Sequence, residues 1–276
     1  MFKQRDAILR LLRDDDSPTV ELVKKQLATH GREAIPGLLD LLCVDDVRVV
    51  RHVHEILGQI DSTEAQAELG ELCRDFPDHG ELDALEYASF LLARAVAPGA
   101  DVEGTRRQLD EWGAALAKRL PSAKTSAARV KLVTDFLGGE LGFHGNADDY
   151  YNVRNSLLPE VVKSRVGLPI TLALVYLFTG ARAGITIEGI SFPGHFLIRF
   201  DEVLLDPFER GQVLSLADCA AILTRQNLAV DADYFEPAPA RAILRRMLAN
   251  LLYLYQSEDK KLAAILEGWM HDLEST

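Results

Sequence analysis

Residues 167–208, reading GLPITLALVYLFTGARAGITIEGISFPGHFLIRFDEVLLDPF, constrain the fold more than any other part of the chain. Pro169 opens an apolar run that reaches Phe178, and Gly184 stands just past its end. A proline at the start and a glycine after the end bracket one helix. Ile170, Leu172, Ala173, Leu174, Val175, Leu177 and Phe178 leave it almost no polar face, so it must be surrounded by protein. Gly180 and Arg182 make it too short and too broken to span a membrane.

Two strands and a hairpin are expected to follow. Residues 185–190 alternate and are rich in β-branched side chains; after the turn at Phe192-Pro193-Gly194, residues 195–200 pair with 203–206 through Asp201-Glu202. With that two-residue loop Phe200 faces Val203, Leu197 faces Asp206 and His195 faces Phe208. The period of two places all four of His195, Leu197, Asp206 and Phe208 on one face. His195 and Asp206 are then diagonal neighbours, roughly 6 to 8 Å apart at their stems, close enough for the carboxylate to orient the imidazole.

A glycine, a position two residues on at the start of a buried helix, a strand histidine, then Asp-Pro on the next strand is the order of the transglutaminase-like, papain-related thiol fold, which this chain resembles. More closely, FHGNADDYYNVRNSLLPEVVKSRVGLPITLALVYL with FPGHFLIRF and LLDPFERG resembles the bacterial Sir-B-type proteins, from about residue 81 onward. The pattern departs from that family at Val153, where proline is expected, and at Leu157 and Pro159, where tyrosine and asparagine are usual. The resemblance implies that His195 is the base and Asp206 its orienting acid. It also puts Pro169 where the superfamily carries its nucleophilic cysteine. A thiolate at a helix N-terminus is what attacks an acyl carbon in such a site, and proline has neither nucleophile nor N–H. Thr171, two residues further on, and Ser156, upstream, are the hydroxyls that can replace it.

The charge narrows the partners. A net −12 disfavours nucleic acid and anionic membrane, and the basic run 241–246 reads as a solvated helix face. Cys43, Cys73 and Cys219 form no close pair, so neither a disulfide scaffold nor a cysteine-rich zinc site is expected, which fits a reducing cytoplasm. Cys43 and Cys73 read as core or helix-end positions and Cys219 as a small buried residue. The segment MFKQRDAILRLLRDDD is amphipathic with acid close behind, the pattern of a folded helix and not of a signal peptide.

Upstream, the chain repeats itself. Leu11-Leu12, Asp15-Asp16, Val20, Val23 and Leu27 recur as Leu41-Leu42, Asp45-Asp46, Val50, Val53 and Leu57, a shift of about 30 positions in the range of helical solenoids. Each unit reads as a helix pair around an acidic turn and resembles a HEAT-type repeat, and residues 63–76 are expected to add a third layer. Three more helices are expected between residues 81 and 138. Beyond the hairpin, Ser215 begins a helix, and 241–255 with 260–273 form a pair that resembles a tetratricopeptide unit. The expected fold is α+β, mostly helical, in four parts: HEAT-like repeats (1–76), a helical region (77–142), the transglutaminase-like core with a small antiparallel sheet (143–236) and the helix pair (237–276).

The loop from His144 to Ser156 concentrates His, Asn, Asp, Tyr and Arg without an apolar period, so it either caps itself or lines a site. His144, Asn146, Asp148, Tyr151, Asn155 and Ser156 are its candidate binding residues, with Asn155 or Ser156 also suited to cap the helix that begins near Leu157. His144, Asp148 and Asp149 match no strong metal template, and no cofactor is expected. Two functions remain. The first is a non-catalytic module for a protein or peptide partner, built on a core without its thiol. The second is an acyl-transfer or peptidase-type enzyme that uses Thr171, Ser156 or water with His195 as base.

Overall fold

A computed structural model describes residues 5–77 and 81–274. It separates into two compact units, residues 1–69 with 91–100 and residues 70–90 with 101–276.

The first unit is helical because its apolar residues recur at helical spacing between acidic turns. Helix α1 (Arg5–Leu12) is followed by α2 (Ser17–Ala28), which Asp16 caps by accepting from the Thr19 N–H. Helix α3 (Ile35–Leu41), with Pro36 in its first turn, is followed by α4 (Val47–Arg74). Leu9, Leu12, Leu27, Leu38, Leu41, Val49, Val53 and Ile56 share one buried cluster. The acidic turns carry the ion pairs Arg13–Asp46 and Arg48–Asp15 at 2.9 and 3.1 Å, each linking residues 33 apart in sequence. Residues 63–74, expected to add a third layer, form no helix of their own. They continue α4 without a break, because nothing between Gln59 and Arg74 interrupts the helical pattern with proline or a turn. Residues 1–4, part of the segment read as an amphipathic helix, lie outside the described residues.

In the second unit the elements run in order around one buried rod. Helix α5 (Glu81–Val96) leads into α6 (Val102–Arg119), capped by Asp101, and α7 (Ser126–Thr134), capped by Thr125. A single π-helical turn (Asp135–Glu140) closes this stretch. Strand β1 (His144–Gly145) pairs in parallel with β2 (Val166–Gly167), and α8 (Leu158–Ser164) lies between them in sequence. This small parallel pair was not apparent in the sequence; two residues are too few to show a period.

Helix α9 (Pro169–Arg182) is the rod, with every residue from Pro169 to Gly180 buried. It packs against α6, α8, β3 and β4. Its far end is tied down by Arg182, which donates to both Glu86 carboxylate oxygens at 2.7 Å and to Asp110 at 2.6 Å. Gly184, at φ +75°, takes the left-handed conformation that ends the helix.

The sheet is an antiparallel meander of β3 (Glu188–Ile190), β4 (Leu197–Phe200), β5 (Val203–Asp206) and β6 (Gln212–Leu214). The expected register holds: Phe200 faces Val203 and Ile198 faces Leu205. Asp201 and Glu202 both adopt positive φ, +48° and +64°, which suits a two-residue turn whose twist matches the strands. The strand expected over 185–190 is shorter, beginning at Glu188. Helix α10 (Leu216–Arg225) starts from a Ser215/Asp218 capping box and buries Cys219 and Leu223 against Ile190, Phe192 and Leu197. Helices α11 (Ala240–Tyr255) and α12 (Lys260–Glu274) form the final pair.

Candidate functional site

His195 and Asp206 meet, although the strand expected from His195 begins only at Leu197 and His195 lies in the bend before it. The Asp206 Oδ2 lies 2.6 Å from His195 Nε2, and its Oδ1 accepts from the Phe208 N–H at 2.9 Å. Asp206 is 4% exposed, so both of its oxygens are committed and the carboxylate is rigid. With Nε2 held, the other ring nitrogen, Nδ1, is the one left to act on a ligand.

The Phe208 ring stands edge-on to the imidazole, 6.1 Å between centroids, and Gly145 of β1 lies against its other side. A Cβ at Gly145 would collide with the Phe208 ring, so only glycine lets β1 approach here.

A cavity of about 490 Å³ opens at the pair, lined among others by Gly194, His195, Asp206, Phe208, Gln212 and Gln226. His195 and Asp206 therefore sit at an accessible opening.

Pro169 is the first residue of α9 and buried. Seven residues along the same helix is Tyr176, whose phenol burial pushes to higher pKa, with the neighbouring Asp206 carboxylate adding to the rise. Seven residues are nearly two full turns, so Pro169 and Tyr176 share one face of the helix, and Pro169 does not line the cavity. Thr171 is about 200° round the helix from Pro169, on the opposite face. It is fully buried, bonds to no other protein group and does not line the cavity. The Ser156 hydroxyl is likewise buried, bonded to no protein group and absent from the lining.

The polar loop organises itself. Buried Asn155 donates to the Asp149 and Tyr150 carbonyls at 2.7 and 3.1 Å and accepts from Asn146 at 3.1 Å. Asn146 in turn donates its N–H to the Gly167 carbonyl, fastening the loop beside the start of α9. Neither Asn155 nor Ser156 caps α8. Leu157 is its N-cap residue, with no side-chain cap bond, because the chain enters through a 3₁₀ turn (Val153–Ser156) that Asn152 caps instead. His144 hydrogen-bonds through Nδ1 to the Gly142 carbonyl, and Asp148 is exposed. Tyr151 stacks between Tyr150 and Tyr253. Among the described residues no group of three or more His, Cys, Asp or Glu is arranged to hold a metal ion.

Sequence reasoning missed Arg246. The run 241–246 is not a uniformly solvated face. Arg246 donates to Ser191 Oγ, to the Phe192 carbonyl and, at 2.6 Å, to the His195 carbonyl, and its guanidinium lies over the Phe196 ring. Arg241 reaches the Leu273 and Phe76 carbonyls. Desolvation lowers the Arg246 pKa. Its partners are backbone groups some fifty positions away, and no spacing rule forecasts such a contact.

A mostly helical chain with a short antiparallel meander, a buried helix and a His–Asp pair at the end of its two central strands defines a class. A family model described as the transglutaminase-like superfamily matches residues 103–249. The curated relatives narrow it. A UPF0162 protein of Xylella fastidiosa strain Temecula1 is 38% identical over 143 residues, 48% of this chain and 50% of the relative. The UPF0162 protein of Pseudomonas aeruginosa is 31% identical over 197 residues, 68% of this chain and 71% of that protein. The chain belongs to the transglutaminase-like superfamily and, within it, to the UPF0162 family. The mouse F-box only protein 21 is 32% identical over 131 residues, 43% of this chain and 20% of its own length. The matched stretch thus spans about half of the Xylella relative. No solved structure matches the chain.

Proposed function

We propose that this chain is a non-catalytic binding module for a protein or peptide, of the Sir-B type, built on a transglutaminase-like core that has kept its base and orienter and lost its thiol. The observation that carries this reading is Pro169 at the head of α9, a residue with neither nucleophile nor N–H where the superfamily resemblance puts the cysteine. The retained His195–Asp206 pair then serves to pin the turn at 192–195 to the sheet. HEAT-like helices before the core and a tetratricopeptide-like pair after it supply surface for a partner. The match to one fifth of the mouse F-box only protein 21 supports the core as a module used inside larger chains.

The enzyme reading has one observation in its favour. The pair opens onto a cavity, so a hydrolase with water as nucleophile and His195 as base fits the opening. Thr171 and Ser156 fit less well, being buried away from it.

Incubation with an acyl-directed electrophile, read by intact-mass and peptide mass spectrometry, tests the module reading. Scattered lysine adducts, equal in wild type and His195→Ala, support it. An adduct on Thr171 or Ser156 that disappears in His195→Ala overturns it, as does turnover of an acyl or peptide substrate that needs His195.

A further inference from the structure

We infer that Tyr150, Tyr151 and Tyr253 form a docking strip for a proline-rich segment of a partner protein flanked by lysine or arginine. This inference rests on the module reading above and names the chemistry of the partner.

Three large aromatic side chains from two elements are left in water side by side. Tyr150 is 40% exposed, Tyr151 64% and Tyr253, on α11, 59%. The Tyr150 and Tyr151 rings are 5.4 Å apart at 78° to each other, and Tyr151 and Tyr253 are 5.5 Å apart at 36°. Single exposed apolar residues are ordinary, but a contiguous aromatic row marks a binding surface. The row also continues inward, since Tyr150 stands 6.1 Å from Phe208, which stands 6.1 Å from His195. The strip is thus continuous with the cavity at the His–Asp pair.

The geometry selects an extended, ring-bearing ligand. The steep Tyr150–Tyr151 pair leaves a notch walled by aromatic faces, the surroundings that suit a pyrrolidine ring. The two steps of 5.4 and 5.5 Å let the strip reach at most about 11 Å between its outer rings, room for the roughly 9 Å that one turn of a polyproline II helix advances. A proline-rich segment is already extended before it binds, so little of its freedom is lost.

The receiving surface is set in advance as well. The loop bearing Tyr150 and Tyr151 is fixed through the Tyr150 carbonyl to buried Asn155, and Asn155 is fixed to Asn146.

Charge decides the flanks. Asp148 and Asp149 are exposed on the same loop, directly before Tyr150, and the chain carries a net −12. An acidic ligand would be repelled; a basic one is attracted.

Fluorescence anisotropy with a labelled peptide of ten prolines followed by two arginines tests this on the full chain. Saturable binding is expected, weakened about tenfold or more by Tyr151→Ala and by Tyr253→Ala, as for aromatic anchors. Asp148→Asn should weaken it by about threefold, with the loss deepened at low salt. A peptide with glycine and serine in place of proline should bind at least about tenfold more weakly. Circular dichroism confirms the fold of each variant. No saturable binding, equal binding of the glycine-serine peptide, or indifference to both tyrosine changes overturns the inference. So does sedimentation showing a dimer that Tyr151→Ala and Tyr253→Ala dissolve, which would give the strip to a second copy. Electrophile labelling dependent on His195, with tyrosine-dependent peptide binding intact, would defeat the module reading alone.

Discussion

The helical unit of α1–α4 and the α9–hairpin core solve the problem of holding polar groups in opposite ways. In the first, charged pairs lie on the surface: Arg48 and Asp15 are 55% and 97% exposed in their side chains. In the second, the decisive polar group, Asp206, is buried with both oxygens bonded. Exposed pairs are worth little and tolerate change, whereas a buried carboxylate is costly to disturb. The α1–α4 unit is therefore built to vary along its surface, and the core is built to hold one imidazole in one place.

The sharpest way to break that contrast is Asp206→Ala. It strips the partner from His195 and from the Phe208 N–H inside the protein, and urea denaturation should show a loss of about 3 to 5 kcal/mol. A loss below about 1 kcal/mol would mean that the core is no more sensitive than the α1–α4 unit.

Arg246→Ala ranks next. It removes three hydrogen bonds to the 191–195 turn and the contact with Phe196, and should cost about 2 to 3 kcal/mol, with Arg246→Lys recovering part of it.

Smallest is the pH response of the α1–α4 unit. The hydrogen bond from Lys24 holds the Glu55 carboxyl below the usual carboxylate range, with burial opposing and His52 adding to the lowering. A carboxylate depressed on folding contributes stability that is complete above its ordinary pKa and fades as pH falls through the depressed value. Glu55→Gln should therefore flatten the acid limb of the stability profile slightly and leave neutral pH almost unchanged. A large loss at neutral pH would show this surface pair to be as critical as Asp206.

Much of the core was legible in the sequence. Alternation in 195–200 and 203–206 fixes which residues share a face, and that periodicity depends only on backbone geometry. Asp201-Glu202, a poor pair for a tight turn on composition, still takes it, at the cost of two side chains in the left-handed region. The apolar run beginning at Pro169 likewise determined a buried helix and its ends. What stayed hidden was long-range. Arg246 meets carbonyls of a distant turn, and Asn155 fastens a loop when it looked like a cap. These outcomes depend on tertiary packing, which local patterns do not encode.

The central claim is that Pro169 fills the position from which a thiol would once have met His195. Alkylation of Pro169→Cys by iodoacetamide at slightly acidic pH tests it most directly, with exposed Cys43 as the internal reference. The introduced thiol should react at least about tenfold faster than Cys43, and adding His195→Ala should remove the advantage. Reaction no faster than at Cys43, or a rate indifferent to His195, would contradict the claim and show that the imidazole was never aimed at the head of α9.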